Sequence, residues 1–316
     1  MLRRLMCAAA TIVATSAMAG NGRIIAIGDE WLVSDLAFAT QPAQSKQLTD
    51  NIAKFFTDDS PSRMLVWSTS GPLMGSERGV RGVAFANRLH ELGHTLDVNP
   101  SAPFTLATLR NYRAVFLAGL SGSGSEHAQV LEAYVREGGN VIVMAGTGDI
   151  GGAPTEAGQW NYFLNKFGLA FGDTWFVYGS SLITVPTLPS ANPLGKLITH
   201  VQWGYGQTVY STQPGNPLVE IAVYGDFTGL TPPPPGSAVQ PIIGTVNILT
   251  KCLGDLDNNG MVNDEDFVIF VQHYNLLLCE DASMPPACPS DFNADGVVDD
   301  VDFTIFIQSY DLPICL

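Results

Sequence analysis

The chain has 316 residues, of which 46% are hydrophobic and 14% charged, and its formal net charge is −15. This length is enough for one large domain or two smaller ones. The acidic surplus is concentrated at the C-terminal end. Residues 252–316 contain 13 Asp and Glu and no Lys or Arg, whereas residues 20–251 contain 17 acids and 13 bases. A tail of this kind repels nucleic acid and anionic membranes, which argues against partners of both classes.

Residues 1–19 have the pattern of a secretion signal. Two arginines precede a short apolar stretch, and the sequence AMA at residues 17–19 fits a small-residue cleavage site. The apolar stretch is too short for a membrane-spanning helix, and no later stretch reaches about 20 apolar residues. We predict cleavage after Ala19 and a secreted, periplasmic or cell-surface location. An uncleaved anchor is the alternative interpretation.

Residues 20–227 alternate between strand-like and helix-like segments. Short apolar runs such as RMLVWST (63–69) and NVIVMAG (140–146) are followed by stretches of helical periodicity such as SEHAQVLEAYVREGG (125–139). Alternation of this kind is typical of a parallel sheet with helices on both faces. The sequence therefore predicts an α/β fold for this part of the chain.

This run resembles the class I glutamine amidotransferase-like fold, especially its trehalose-utilisation-type relatives. The resemblance is carried by RMLVWST, FANRLHELGH (85–94), TLRNYRAVFLAG (108–119) and LEAYVREGGNVIVMAG (131–146). It implies a flavodoxin-like three-layer domain. Those relatives usually finish with a strand, a Gly-Asp turn and a helix, but a similar piece, IIAIGDEWLVSD (24–35), comes first here. This order suggests a circular permutation, which folds with neighbouring termini permit.

The catalytic signature of the amidotransferases is absent. These enzymes use a Cys nucleophile with a His base, and residues 20–251 contain no Cys. The turn that follows NVIVMAG offers Thr147 and Asp149 instead, and the chain has no G-x-S-x-G motif. We therefore expect no amidotransferase activity, and a non-catalytic domain is the favoured prediction.

Other polar groups of this domain have ordinary structural alternatives. Asp29 and Glu30 follow a strand at the place where open α/β sheets bind ligands, and they could hold a sugar or a metal; more often such acids cap a helix. His90 and His94 could share a helix face, but Gly93 between them is expected to end the helix. Tryptophan side chains could stack on sugars, although the buried core is their commoner place.

Two Asp-rich stretches near the C-terminus, GDLDNNGMVNDED and SDFNADGVVDDVD, are offset by 36 residues. A calcium loop supplies oxygen ligands from positions 1, 3, 5, 7, 9 and 12 and has Gly at position 6 for the sharp turn. In the first copy those ligand positions are Asp255, Asp257, Asn259, Met261, Asn263 and Asp266, with Gly260 at position 6. In the second they are Asp291, Asn293, Asp295, Val297, Asp299 and Asp302, with Gly296 at position 6. The pattern predicts two Ca²⁺ sites; a solvated Asp-rich turn is the alternative.

A helix is predicted after each loop. The apolar residues are spaced i, i+3, i+4, i+7 in both copies, as Phe267, Phe270, Val271, Tyr274 and as Phe303, Phe306, Ile307, Tyr310. A duplicated loop and helix with Asp at position 12, where the EF-hand has Glu, resembles the type I dockerin module over residues 252–316. The resemblance implies a small all-α domain with two antiparallel helices that docks onto a cohesin-like or other surface protein partner.

Four cysteines, Cys252, Cys279, Cys288 and Cys315, lie in this module. In an exported protein an even number of cysteines predicts disulfides, and zinc, the alternative, is disfavoured by the lack of a C-x-x-C pair. A helix of about 12 residues is ~18 Å long, so a bridge within one repeat would span too far. With the antiparallel helices that the resemblance implies, we predict the pairs Cys279–Cys288 and Cys252–Cys315.

The predicted organisation has four parts: a signal (1–19), an amidotransferase-like domain (20–227), a Pro-rich linker (228–251) and a dockerin-like domain (252–316). The linker contains four consecutive prolines, which favour a stiff polyproline spacer.

The function predicted from these parts is that of an exported calcium-binding protein whose non-catalytic domain is attached through its tail. The alternative is a polysaccharide-active enzyme tethered by the same tail, with polysaccharide as a further partner. The catalytic acids of such an enzyme would have to come from Asp29, Glu30 or Asp149.

Overall fold

A computed structural model describes most of the chain: residues 21–67, 82–119, 124–146, 151–176, 182–231, 234, 236–248, 254–257, 262–286, 288–293 and 295–310. Several predicted features lie outside these residues, namely the signal sequence with its cleavage site, Thr147, Asp149, Cys252, Asn259, Gly260, Met261 and Cys315. Within the described ranges, no helix has both the length and the apolar character needed to cross a membrane.

The described part of the chain contains eleven strands and eight α-helices. The strands are β1 (Gly22–Ile27), β2 (Arg63–Val66), β3 (Thr95–Val98), β4 (Ala114–Ala118), β5 (Asn140–Met144), β6 (Leu169–Phe171), β7 (Ile183–Pro186), β8 (His200–Trp203), β9 (Val209–Ser211), β10 (Val219–Asp226) and β11 (Val239–Ile248). The helices are α1 (Asp35–Thr40), α2 (Pro42–Thr57), α3 (Val83–Glu91), α4 (Leu106–Leu109), α5 (Gly124–Arg136), α6 (Ala153–Leu164), α7 (Asp264–Leu276) and α8 (Asp300–Tyr310).

Seven strands form one mixed sheet in the order β10-β11-β1-β5-β4-β2-β3. The five strands from β1 to β3 in this order pair in parallel, while β11 pairs antiparallel with both β1 and β10. Counted from β2, the parallel strands have the order 2-1-3-4-5 of the flavodoxin-like doubly wound fold. In this order β1 takes the place of the fifth strand, as a circular permutation would give. The predicted α/β fold is confirmed, and the antiparallel pair β10–β11 is an addition to it.

Helices cover both faces of the sheet. On one face, Phe38 of α1, Ile52 of α2 and Phe85 of α3 are buried against alternate residues of β1. On the other face, Leu131 of α5 and Trp160 of α6 are buried against the intervening residues of the same strand. Successive strand residues point to opposite faces, so one apolar strand contributes to two separate cores and the domain has three layers.

The strand β11 changes the predicted domain boundary. The sequence predicts a linker over residues 228–251, but residues 239–248 form a strand that pairs with β1 on one side and β10 on the other. Ile242, Ile243 and Val246 of this strand are buried in the two cores of the domain. A linker to the C-terminal region can therefore begin only after Ile248.

The C-terminal region has a small apolar core of its own. Buried side chains from both predicted calcium loops, from both helices and from the segment that joins the two repeats form it: Val262, Phe270, Met284, Cys288, Val298 and Phe306. The two predicted helices are present as α7 and α8, and each begins at position 10 of its loop, so that position 12 lies in the first helical turn. The structure is thus an α/β domain followed by a helical C-terminal region.

Asn140 joins the end of α2 to the sheet. Its side chain is fully buried, and its amide nitrogen donates hydrogen bonds to the carbonyl oxygens of Phe56, at 2.9 Å, and Arg113, at 3.0 Å. The carbonyl of Phe56 lies in the last turn of α2, where carbonyl groups have no partner within the helix. One side chain at the start of β5 therefore supplies donors for two neighbouring elements.

We predict that Asn140→Ala lowers the free energy of unfolding by about 1–2 kcal/mol, because two buried hydrogen bonds are lost while each carbonyl oxygen keeps one other donor, Arg113 Nε for Phe56 and the backbone N–H of Asn140 for Arg113. Asn140→Asp should lower it further at pH 7, since a carboxylate would face two carbonyl oxygens. Urea unfolding measures both, with Asn87→Ala on the exposed face of α3 as a control that changes stability by less than about 0.5 kcal/mol. Equal stability of the Ala and Asp variants at pH 7 would contradict this role.

Candidate functional site

The first predicted calcium loop brings its acids together. Ligand oxygens of Asp255, Asp257 and Asp266 all lie within 4.8 Å of one another, a spacing that lets one cation contact all three. Asn263, at position 9, is the N-cap of α7, and its side chain accepts a hydrogen bond from the backbone N–H of Glu265 at 2.8 Å. Position 12 thus lies in the first turn of α7, beside positions 1 and 3.

The carboxylate at position 12 holds the first loop in shape. Asp266 is fully buried. Its Oδ1 accepts hydrogen bonds from the backbone N–H groups of Leu256 and Asp257 at 2.6 and 3.1 Å, and its Oδ2 accepts one from Asn263 at 3.0 Å. The carboxylate therefore binds the backbone at loop positions 2, 3 and 9.

The second loop repeats these bonds at the same positions. Asp302 is also fully buried. Its Oδ1 accepts from the backbone N–H groups of Phe292 and Asn293 at 2.7 and 3.2 Å, and its Oδ2 accepts from Asp299 at 3.0 Å. A carboxylate has about four acceptor sites. In each copy the three amides leave room for one contact between the position-12 side chain and a cation.

The turn of the second loop is folded around its position-1 acid. Asp291 accepts hydrogen bonds from the backbone N–H groups of Asp295, at 3.1 Å, and Gly296, at 2.9 Å. Asn293 donates its side-chain amide to Asp295 at 2.8 Å, and Val297 donates its backbone N–H to the same acid at 3.0 Å. The side-chain oxygens at positions 1, 3 and 5 thus belong to one bonded group, and they are of the kind that a hard cation binds.

The two helices of this region run antiparallel. Tyr274 at the end of α7 donates its hydroxyl to Asp300 at the start of α8, at 2.6 Å, and Tyr310 at the end of α8 donates to Asp264 at the start of α7. Between these ends the aromatic rings of the two helices pack on one another, with the centroids of Phe270 and Phe306 separated by 5.1 Å. This is the arrangement that the dockerin resemblance implies.

A disulfide joins Cys279 and Cys288, the pair that the sequence predicts, with Cα atoms 5.3 Å apart. Their sulfur atoms also lie within 4.8 Å of a carboxylate oxygen of Asp291. Because both sulfurs are used in the bridge, this group offers no thiolate for zinc. The repeat offset of 36 residues relates Cys279 to Cys315 and Cys288 to Cys252, so the same symmetry supports the second predicted pair, which stays a prediction.

In the α/β domain, Asp29 acts as a helix cap. It is fully buried and caps a 3-10 helix at Glu30–Val33. Its carboxylate accepts the backbone N–H groups of Trp31, at 2.9 Å, and of Gly204 and Tyr205. Burial raises the pKa of Asp29 to about 7, and the three backbone bonds oppose this rise. Glu30 is also buried, so neither acid faces an open cleft.

A second buried carboxylate, Glu156 of α6, lies near Asp29 and was not predicted. It accepts the backbone N–H of Gly146 at 2.8 Å and the side-chain amide of Gln207. Gly146 has a φ of +93°, and a Cβ there would lie 2.1 Å from the carbonyl oxygen of Tyr205 and 3.3 Å from the carboxylate of Asp29. The two carboxylates thus hold segment 204–207 across the carboxyl ends of β1 and β5.

The sequence does contain a signal for Glu156. It lies three residues after Ala153 and four before Trp160, both of them buried, and therefore on the inward face of α6. An acid on an apolar helix face is unusual unless it has a buried donor to accept from. The predicted histidine pair is not formed. The helix α3 ends at Glu91, so His90 and His94 do not share a helix face.

No protein-family model, curated protein or solved structure matches this chain. The α/β domain with its mostly parallel seven-strand sheet and the helical C-terminal region are established by the strand order and the helix bounds. The two family resemblances enter below as proposals.

We predict that Asp29 makes the protein less stable as the pH rises from about 4 to about 7. Its pKa is about 7 in the folded protein and 3.8 ordinarily, so the folded state keeps a proton that the unfolded state releases in this range. Asp29→Asn removes this pH-dependent part of the free energy of unfolding. It should also lower the free energy of unfolding at every pH, because the side-chain NH₂ group of Asn would face backbone N–H donors. Chemical unfolding at several pH values measures the free energy of unfolding of the wild-type protein and of the variant. The wild-type protein should be the more stable one, by an amount that decreases as the pH rises. A difference that is constant from pH 4 to pH 7 would contradict the raised pKa.

We predict that the exported chain has no free thiol, because Cys279–Cys288 and Cys252–Cys315 use all four cysteines of residues 20–316. Thiol labelling of the unfolded, non-reduced protein should find none, and four after reduction. Cys252→Ser should expose one thiol, at Cys315, and the matched control Cys279→Ser should expose one at Cys288. Peptide mapping that found a Cys252–Cys279 bridge would contradict the pairing.

Proposed function

We propose that this is an exported calcium-binding protein. Its C-terminal region (252–316) would be a dockerin-like module that binds two Ca²⁺ ions and attaches the α/β domain to a cohesin-like or other surface protein partner. The observation that carries the proposal is the duplicated position-12 acid: Asp266 and Asp302 make the same three backbone bonds in two loops, each followed by a helix. A secreted, periplasmic or cell-surface location follows from the proposed signal over residues 1–19.

Charge supports calcium as the ligand. The region has 13 acids and no Lys or Arg, so its carboxylates repel one another unless cations neutralise them. The side-chain donors at the ligand positions are carboxylate and amide oxygens, which suit a hard cation. The proposal is supported by the mutual spacing of Asp255, Asp257 and Asp266, whose ligand oxygens lie within 4.8 Å of one another. A cation bound there would stabilise the folded loops, because the unfolded chain lacks the site.

For the α/β domain we propose a circularly permuted, amidotransferase-like scaffold that binds rather than catalyses. The strand order 2-1-3-4-5, counted from β2, supports the relationship. Residues 20–251 contain no cysteine nucleophile. The polysaccharide-active alternative needs two facing carboxylates in an open cleft. Asp29 and Glu30 are buried, and Asp29 is occupied by backbone amides, so this pair does not supply them.

Calorimetric titration of the chelator-treated full chain tests the calcium proposal. We expect two Ca²⁺ ions per chain and a higher melting temperature with Ca²⁺. Asp255→Ala and Asp291→Ala should each reduce the stoichiometry to one, and Asp173→Ala, an exposed acid of the α/β domain, should leave it at two. The second loop has four Asp at its ligand positions against three in the first, so the site left in Asp255→Ala should be the tighter one.

Absence of both heat and a thermal shift on adding Ca²⁺ would overturn the calcium proposal. The attachment proposal has its own readout. The wild-type chain should capture a partner from the secretome of its source organism only with Ca²⁺, and the double variant Asp255→Ala/Asp291→Ala should capture none. Equal capture by the two proteins would separate attachment from the calcium loops.

A further inference from the structure

A cavity of about 280 Å³ lies beside the start of β1, on the face of the sheet that α2 covers. It is at the opposite end of β1 from Asp29, and so away from the edge where parallel α/β sheets usually bind ligands. Its volume is close to the lower end of the range for ligand pockets, about 300–1,000 Å³. The cavity therefore suits a small molecule or the end of a larger one.

The floor of the cavity is polar. Arg23 of β1 and Asn247 of β11 are directly opposed in the sheet, and both line it. Glu220 of β10 also lines it and is opposed to Thr245, which is two residues before Asn247. Residues two apart in a strand lie on the same face. Three adjacent strands therefore bring a guanidinium, an amide and a carboxylate to one place.

One wall is a loop, residues 190–197, that is fixed from two sides. Asn192 is 7% exposed and donates its side-chain amide to Glu220 at 2.6 Å. From the other side, Asn51 of α2, which also lines the cavity, donates to two carbonyl oxygens of the loop, each at 2.9 Å. The wall is thus held in place before any ligand arrives, which lowers the entropic cost of binding.

The backbone of this loop is constrained as well. A Cβ on Gly195 would lie 2.1 Å from the carbonyl oxygen of Ala222, so only glycine lets the loop approach β10 this closely. Leu197 has a φ of +63° although its side chain is 66% exposed. For a bulky residue this left-handed conformation costs about 1–3 kcal/mol, which the surrounding contacts must offset. The loop conformation is therefore imposed by its surroundings rather than by local preference.

The charged side chains that line the cavity balance in sign. Arg23 and Lys54 are cationic, and Asp58 and Glu220 are anionic. Arg23 pairs with Asp58 at 3.0 Å, and Lys54 pairs at 2.9 Å with Asp59, which does not line the cavity, so both cations keep further N–H donors. Such a lining selects neither an anion nor a cation. It offers guanidinium, ammonium and amide donors beside carboxylate and amide acceptors. Hydroxyl groups both donate and accept, so a molecule with several adjacent hydroxyls can satisfy both kinds of group.

We propose that this cavity binds a neutral pyranose ring, as a free monosaccharide or as the end of a longer glycan. The donors to the ring hydroxyls are Arg23, Lys54 and Asn247, and the acceptors are Glu220 and the carbonyl of the Asn247 side chain. The site belongs to the α/β domain and gives the proposed binding scaffold a ligand class. Sugar binding at this site does not depend on the calcium loops. An experiment can therefore contradict the sugar proposal without contradicting the calcium proposal, and the reverse.

The test uses the full chain in saturating Ca²⁺, titrated with glucose, galactose, mannose, N-acetylglucosamine and short oligomers of each, by calorimetry and by NMR of the labelled protein. We expect at least one sugar to bind with one site per chain and to shift the amide signals of Arg23, Glu220 and Asn247. A monomer that binds as well as its oligomer identifies a free monosaccharide, and a stronger oligomer identifies a chain end.

Two variants locate the site. Asn247→Ala and Glu220→Gln should each weaken sugar binding about fivefold or more, the loss expected for one hydrogen bond, and Asn87→Ala on α3 should not. Circular dichroism checks that the variants fold. The proposal is overturned if no sugar binds at millimolar concentration, if phosphate or acetate binds and sugars do not, or if the wild-type amide shifts lie away from the cavity. Binding that both folded variants retain in full would also overturn it.

Discussion

Backbone N–H groups that turn inward outside helices and strands must find an acceptor, because an unpaired buried amide costs about 1–3 kcal/mol. This chain meets that need with fully buried carboxylates. Asp29 and Glu156 do so under the segment that crosses the sheet, and Asp266 and Asp302 do so in the two C-terminal loops. In both the α/β domain and the helical region, a buried carboxylate therefore takes the place of the backbone carbonyl that would accept from these N–H groups in a strand or helix.

In the C-terminal loops the buried carboxylates of Asp266 and Asp302 connect the fold to the proposed function. The side chain of Asp is one methylene shorter than that of Glu, and at position 12 it stays close to the loop backbone and collects three amides. These three bonds fix the backbone at loop positions 2, 3 and 9. What protein bonds do not supply is neutralisation of the remaining carboxylates, and a bound cation would provide it. The position-12 acid would thus have two tasks in the proposed module, to hold the loop backbone and to give one oxygen to the cation.

The fold class was predictable because its signals are local: apolar runs of strand length, helical spacing and a repeat offset of 36 residues. β11 was not, because its sequence VQPIIGTVNI follows a proline run and contains Pro and Gly, which disfavour a central strand. Pro241 is tolerated since it lies beyond Ile243, the last residue that β1 pairs with. Gly195 and Glu156 were missed for a related reason, because their roles depend on segments distant in sequence.

The central place of β1 has a consequence for how the domain is made. Among the strands that the structure describes, β1 is synthesised first, its two neighbours β5 and β11 are synthesised later, and β11 is the last strand of the sheet. Until β11 emerges, one edge of an apolar strand has no partner. Such edges recruit strands from other chains. The sheet can therefore be completed only when residues 239–248 are available to pair with β1, wherever the chain folds.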